Sequence, residues 1–302
     1  MNIFIFLINL ILVSFLSGCF SGLNIKENTN SNDISAAWFY LSDDTNYESI
    51  PSYWKDIHFD KVNRLYVGPL GIQDSYNFNL YKGIHGDLSM RFKWLIQKAK
   101  ADNPNIEIIA SQWWGDSPNV YGYSLDALNK SADEEMYAQS VVDFIESYQV
   151  NDNGKYAING YDIDYEDDNV IPDIKNLLNN IRNKLDKLSL KNHKKYYFTI
   201  TPASTNYINE SSILSKIDNI NMQSYAGGSD IQIDFYLNYG VDPKRIFYGI
   251  CPETNCKNSK SVESVLAIYK NYKLGGIHLY RLNSDNYLYE NSVQENIFSI
   301  LN

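Results

Sequence analysis

Cysteine and histidine are scarce in this sequence, with three Cys and four His among 302 residues. A zinc site built from thiolates and imidazoles is therefore not expected, and no other cofactor is read from the chain. Cations are too few to grip a polyanion. Lys and Arg number 26 against 36 Asp and Glu, for a formal net charge of −10, so a nucleic-acid partner is set aside. No Pro-rich or Gly-rich linker divides the body, and no Gly-rich phosphate turn follows the first strand-like run, where the chain reads Ser42-Asp43-Asp44. That absence argues against a doubly wound nucleotide-binding sheet. What is present, 44% hydrophobic and 21% charged residues, fits a globular chain and not a disordered one. The 25 Tyr accompany an equal richness in Asn, Ile and Lys and carry little weight alone.

Residues Ile3 to Leu16 are apolar except for Asn9 and Ser14, a run too short for a comfortable membrane span. The run ends in Leu16-Ser17-Gly18-Cys19, which resembles the bacterial lipobox. In that motif small residues let a peptidase cut before the Cys that carries lipid. Met1-Asn2 offers no Lys or Arg, a departure from the usual start, and an ordinary signal peptide is the alternative. Either reading exports the protein. The expectation is a signal over residues 1–18, a polar, flexible tether over 19–33 and a body over 34–302. Cys19 would be the lipidation site, and membrane contact would be through the anchor alone, at the outer membrane or cell surface, unless the chain is secreted. Cys251 and Cys256 can close a short disulfide outside the cytosol or stay as thiols.

Short runs rich in Ile, Val and Tyr recur through the body: residues 34–41, 62–67, 106–111, 157–164, 196–201, 217–224, 245–250 and 275–280. Helical periodicity fills the intervals. Leu88, Phe92, Leu95, Ile96 and Ala99 share one face over 88–100. Met136, Ala138, Val141, Val142 and Ile145 do so over 132–148, and Ile174, Leu177, Leu178, Ile181, Leu185 and Leu188 over 171–188. Weaker patterns cover 211–216, 231–239, 261–272 and 292–301, and 50–56 is ambiguous. Eight strand signals alternating with helices predict an α/β fold, a (β/α)8 TIM barrel in one domain.

The fourth run reads Asn159-Gly160-Tyr161-Asp162-Ile163-Asp164-Tyr165-Glu166. Alternation on a strand puts Asp162, Asp164 and Glu166 on one face, and Tyr161, Ile163 and Tyr165 on the other, against helices. Burial and like charge resist ionisation of three carboxyls in line, so at least one should keep a proton above its free pKa. A protonated carboxyl beside ionised ones suits glycoside hydrolysis. An EF-type cation loop needs another spacing, with Gly at its sixth position.

This strand resembles the D-G-x-D-x-D-x-E motif of glycoside hydrolase family 18, the chitinases and endo-β-N-acetylglucosaminidases, with Asn159 in place of the first Asp. Thr199-Ile200-Thr201-Pro202, Met222-Gln223-Ser224-Tyr225 and Gly275-Gly276 are similar to the family's motifs at strands five, six and eight. Ser111-Gln112-Trp113-Trp114-Gly115 is a looser match to its strand-three end. The resemblance covers residues 34–302. It implies retaining hydrolysis of glycans containing β-1,4-linked N-acetylglucosamine, in which the sugar's own acetamide is the nucleophile. Glu166 would be the general acid, Asp164 would orient the acetamide, Asp162 would share a proton or charge with Asp164, and Tyr225 would hold the acetamide oxygen. Gln223 would contact the sugar. The family's strand-eight Trp is Tyr280 here, and Ala226 stands where the family has Asp or Asn. Trp38, Trp113 and Trp114 are the further stacking candidates, Trp94 is expected to pack in the core, and His278 to fill the barrel. About 24 residues between the last two strands leave no room for the family's α+β insertion, so an open cleft is expected; separately, the chain is expected to be a monomer. The same chemistry serves N-glycan chitobiose cores, and a non-catalytic glycan-binding barrel is the third reading.

Overall fold

The computed structural model describes residues 33–302, except 116, 118–120, 129, 149–156, 167–173, 204–207, 209, 227–230, 257 and the side chains of Ser75, Ser131 and Ile231. Cys19, the expected signal and the tether as far as residue 32 lie outside the described residues.

Eight strands form where the apolar runs stand: β1 (Ile34–Tyr40), β2 (Arg64–Ile72), β3 (Glu107–Gln112), β4 (Gly160–Tyr165), β5 (Tyr197–Pro202), β6 (Asn219–Met222), β7 (Ile246–Ile250) and β8 (Gly276–Leu279). Neighbours pair in parallel, and β1 pairs with both β2 and β8, which closes the barrel. β2 runs past its expected end at Val67. Gly68-Pro69 reads as a stop, but the chain absorbs it as a shift of register between Val67 and Leu70 against β3.

The covering helices are α1 (Ser89–Asp102), α2 (Ser131–Ser147), α3 (Ile174–Asn192), α4 (Ser211–Leu214), α5 (Ile231–Asn238), α6 (Val262–Tyr272) and α7 (Tyr287–Leu301). In α3 the buried residues are Leu177, Leu178, Ile181, Leu185 and Leu188, the predicted stripe. In α2 Met136 is 50% exposed, against expectation. The stripe through Ala138, Val141 and Ile145 extends back to Tyr137 and Glu134, both buried, and Met136 lies on the far side of the helix. α7 begins at Tyr287, ahead of the expected Ser292. Its buried Glu290 accepts hydrogen bonds from the Ser284 amide (3.0 Å) and hydroxyl, tying the first turn to the chain leaving β8. The ambiguous stretch after β1 is a 3-10 turn, Ser52–Asp56, that buries Trp54.

Tyr161 faces outward as alternation requires. Its hydroxyl meets that of Tyr137 at 2.7 Å, and its ring lies edge-on to Phe78 at 5.1 Å. The interior has two unlike halves. Ala36, Trp38, Tyr40, Tyr66, Ile109 and Phe247 form an apolar cluster, whereas β3 to β6 turn Ser111, Asp162, Thr199, Thr201 and Asn221 inward, all buried. Arg64 plugs the N-terminal end, donating to Glu107 and Asn219 with its guanidinium 4.1 Å from the Tyr197 ring.

Gly160 starts β4 where backbones crowd. A Cβ there would lie 2.3 Å from the Tyr197 carbonyl oxygen and 2.9 Å from the Tyr197 amide. Gly160→Ala is expected to destabilise the fold by about 1–3 kcal/mol through that clash. Thermal unfolding checks this, and an unchanged midpoint would show that the two strands can part without cost.

Candidate active site

The strand register builds the site. Asp162 lies opposite Ser111 on β3 and Thr199 on β5, and Asp164 lies opposite Thr201. Asp162 is fully buried and accepts from Thr199 (2.5 Å), Ser111 (2.8 Å), Thr201 (3.1 Å) and Asn221 (3.3 Å). Burial pushes its carboxyl up to about 6, against the pull of those donors. Asn221 also accepts from the Tyr66 hydroxyl at 3.0 Å, so the cradle reaches across to the aromatic half.

Asp164, one pleat nearer the rim, is 6% exposed. Gln223 donates to it at 2.8 Å, and the neighbouring Glu166 acts on it through charge. Glu166 stands at the rim, open to solvent. Desolvation raises the pKa of both groups, and the neighbouring charges of Glu166 and Asp162 raise that of Asp164 further. Asp162 was expected to share a proton or charge with Asp164. Its hydrogen bonds go to four neutral side chains, and its charge raises the pKa of Asp164.

Tyr225, just past β6, is 7% exposed and stacks on Tyr280 with ring centroids 5.3 Å apart. Tyr280 also meets Tyr40 edge-on at 5.7 Å, and the Tyr280–Arg281 peptide is cis. Burial raises the pKa of Tyr40 and Tyr225 well above the usual phenol value, as do the neighbouring charges of Asp164 and Glu166. Both phenols therefore stay neutral donors beside the carboxyls. Gln223 is buried, with its amide nitrogen given to Asp164 and to the Thr201 carbonyl at 3.2 Å. Trp38 is 2% exposed and stacks on Tyr66 at 5.2 Å, beneath the mouth. Trp113 packs edge-on to Tyr121 (4.8 Å) and beside Trp114 (5.5 Å), which is 36% exposed. The indole N–H groups of Trp38 and Trp113 have no acceptor among the described residues. Trp94 packs on Trp54 at 5.8 Å, away from the site. His278 is fully buried with its ring nitrogen 3.0 Å from the Met222 carbonyl, and burial lowers its pKa to about 4, so it stays neutral.

Cys251 and Cys256 form a disulfide across the turn after β7. That turn carries Glu253, which accepts from Arg281 at 2.8 Å, while Asp43 takes the other side of the same guanidinium. Among the described residues, this turn and α6 join β7 to β8. Four residues escaped the sequence reading as parts of the site: Ser111 and Asn221 in the cradle, Tyr40, and Arg281. The inward parity of Ser111 and Asn221 could have found the first two. Thr199 and Thr201 had been noted as a turn motif, not as ligands of Asp162.

The family model "Glycosyl hydrolases family 18" matches residues 36–251. No curated protein matches the chain. Among solved structures, the family 18 chitinase ChiB of Flavobacterium johnsoniae superposes with a TM-score of 0.63 at 15% identity, over 90% of this chain and 95% of that one. A family 18 N-acetylglucosaminidase from Paenibacillus barengoltzii gives 0.64 at 12% identity, over 87% and 99%. A chitinase-like agglutinin from Robinia pseudoacacia gives 0.64 at 12%, over 88% and 99%. At such identities the likeness is one of fold, and an agglutinin shares it. The family model spans well over half of the sequence and includes the acidic strand, and on that match the chain belongs to glycosyl hydrolase family 18.

Proposed function

We propose that the protein is a retaining glycoside hydrolase that cleaves β-1,4 bonds in chitin or chitooligosaccharides by substrate-assisted catalysis. The observation that carries the reading is the line of Asp162, Asp164 and Glu166 along one side of the β4 chain, with burial raising all three carboxyl pKa values beside two neutral phenols. With substrate bound, Glu166 carries a proton and gives it to the leaving glycosidic oxygen. Asp164, then ionised, accepts from the acetamide N–H and stabilises the positive charge that develops there. The acetamide oxygen attacks the anomeric carbon and the glycosidic bond breaks, with Tyr225 holding that oxygen in line. Glu166 then takes a proton from the water that opens the oxazolinium ion, so the configuration is retained. Asp162 keeps a negative charge behind Asp164, and Gln223 fixes the Asp164 carboxyl. Tyr280, Trp113 and Trp114 supply apolar surface to sugar rings, over a floor that includes Trp38.

The connection from β7 to β8 is short, with α6 its only helix among the described residues, which supports a second reading, cleavage of the chitobiose core in branched N-glycans. Retention of the Asp164–Glu166 pair counts against a barrel that only binds. Incubation with N-acetylchitooligosaccharides and, in parallel, a high-mannose glycoprotein separates the three readings. Cleavage of the first supports the proposal, release from the second alone promotes the alternative, and binding without cleavage of either leaves a receptor. We further propose export with a lipid anchor at Cys19, checked by mass spectrometry of the mature N-terminus.

The pH dependence follows from the pair. A general acid works while protonated, so kcat/KM should fall as pH rises through the raised Glu166 pKa, above the usual carboxylate range. Asp164→Asn puts an amide donor against Glu166, which favours its ionised form. The descending limb should move to lower pH while kcat drops. A limb that stays in place would separate Glu166 from it.

A further inference from the structure

The end of the barrel opposite the cleft has a different electrostatic character from the chain as a whole. The segments that end α3 and lead into β5 and β6 bring Lys194, Lys195 and Lys216 together with Leu190, and Lys187 stands one turn before Leu190 on α3. Lys187 and Lys216 are exposed, and the Lys195 side chain is 59% exposed while bridging Asp218 at 2.8 Å. Leu190 is 77% exposed, among the most open large apolar side chains described. Leu190, Lys194, Lys195 and Lys216 line a shallow hollow of about 590 Å³, and its acids, Asp186 and Asp218, both bridge Arg182 at 2.8 Å. Cations near a helix C-terminus complement its dipole, but that role asks for no exposed leucine and no lysine beyond the helix at position 216.

The chain enters the barrel at this same end. Asp33 is held there by Lys244 at 2.8 Å and by Tyr269, just before β1 begins. From Cys19 to Asp33 the contour length is at most about 50 Å. An acyl group on Cys19 would therefore keep this face within reach of the bilayer.

We propose that this basic, leucine-bearing face docks on an anionic phospholipid bilayer, with lysines against headgroup phosphates and Leu190 at the acyl boundary. Lysines near an anionic surface each add severalfold to binding, and an apolar side chain set among them adds the insertion step. Docking would hold the glycan cleft outward from the membrane. The proposal draws on the lipid-anchor reading for its geometry, but the face can be tested without the anchor and without catalysis. All eight strands and their covering helices come from residues after Asp33, so the chain from Phe20 to Asn302 serves as the unanchored protein.

The test is co-sedimentation of that chain with vesicles of phosphatidylcholine alone and with a third phosphatidylglycerol. Binding is expected on the mixed vesicles only, falling at least tenfold between 50 and 500 mM salt. The Lys187→Glu/Lys216→Glu protein should lose about tenfold or more, and Leu190→Ser a few-fold. Lys82→Glu, on an exposed side chain outside this face, should bind as the parent does. Melting midpoints and turnover of a soluble oligosaccharide show that each variant is folded. Equal binding to both vesicles, binding unmoved by the double substitution, or capture by a soluble polyglycerol phosphate without vesicle binding would each overturn the proposal. Loss of turnover in the parent would strike the enzymatic reading and leave this one standing.

Discussion

Glu166→Gln is expected to lower kcat on N-acetylchitooligosaccharides by about 10²–10⁴-fold, the span that general acid catalysis contributes. The amide keeps the shape and still reaches Asp164, but it has no proton to give the leaving oxygen. KM should move little, because Tyr280, Trp113 and Trp114 are untouched. A substrate with a good leaving group needs less protonation in the first step, so it should recover part of the rate. The Asp164 carboxyl should also lose its proton more readily, since its partner no longer repels the charge. A fall of less than tenfold would remove Glu166 from the reaction.

Arg91→Met is expected to cost about 3–5 kcal/mol of stability, because four hydrogen bonds from one buried cation are lost together, each worth about 1 kcal/mol or more. Arg91 is fully buried on α1. It donates to the carbonyls of Leu41 and Asn46 (2.6 Å each) and Ser49 (2.8 Å), and to the Asp44 carboxylate at 2.6 Å. It therefore fastens the whole loop after β1 to the helix layer. Methionine fills much of the volume but donates nothing, and the carbonyl of buried Leu41 loses its partner. In a domain of this size the loss corresponds to a fall in melting midpoint on the order of 10 °C. The same loop carries Asp43, which clasps Arg281 beside Tyr280, so activity should decline at temperatures where the fold survives. A shift under 2 °C would mean that water replaces the guanidinium without cost.

Much of this was legible in the sequence because strands and helices have different periods. The parity of Asp162, Asp164 and Glu166 fixed their shared face, and Tyr161 and Ile163 the opposite one, since a strand offers only two sides. Met136 was misplaced because it stands two residues before Ala138, about 200° around the helix and so on the other side, and Tyr137 packing on Tyr161 decides the register. The Asp162 cradle was hidden for another reason. Its members come from β3, β5 and β6, and which inward residues meet depends on the stagger between strands, a property of the closed sheet and not of any one segment. Whether Cys251 and Cys256 were bonded was open from spacing alone, and the folded turn brings the sulfurs together. The hold of Asp43 and Glu253 on Arg281 joins the ends of β1, β7 and β8, which lie far apart in the chain.

The two unlike halves of the barrel interior should accept mutation at different rates. In the half built from Ala36, Trp38, Tyr40, Tyr66, Ile109 and Phe247, apolar exchanges that keep volume cost less than about 1.5 kcal/mol. In the half around Asp162, any exchange of Ser111, Thr199, Thr201 or Asn221 for an apolar residue strips a donor from a buried carboxyl, at about 1–3 kcal/mol each. Drift among descendants of this chain should therefore gather on β1, β2 and β7. The apolar lining behind the site would diversify while the carboxyl side stays nearly fixed, so the footing of the site could drift without rebuilding the catalytic strand.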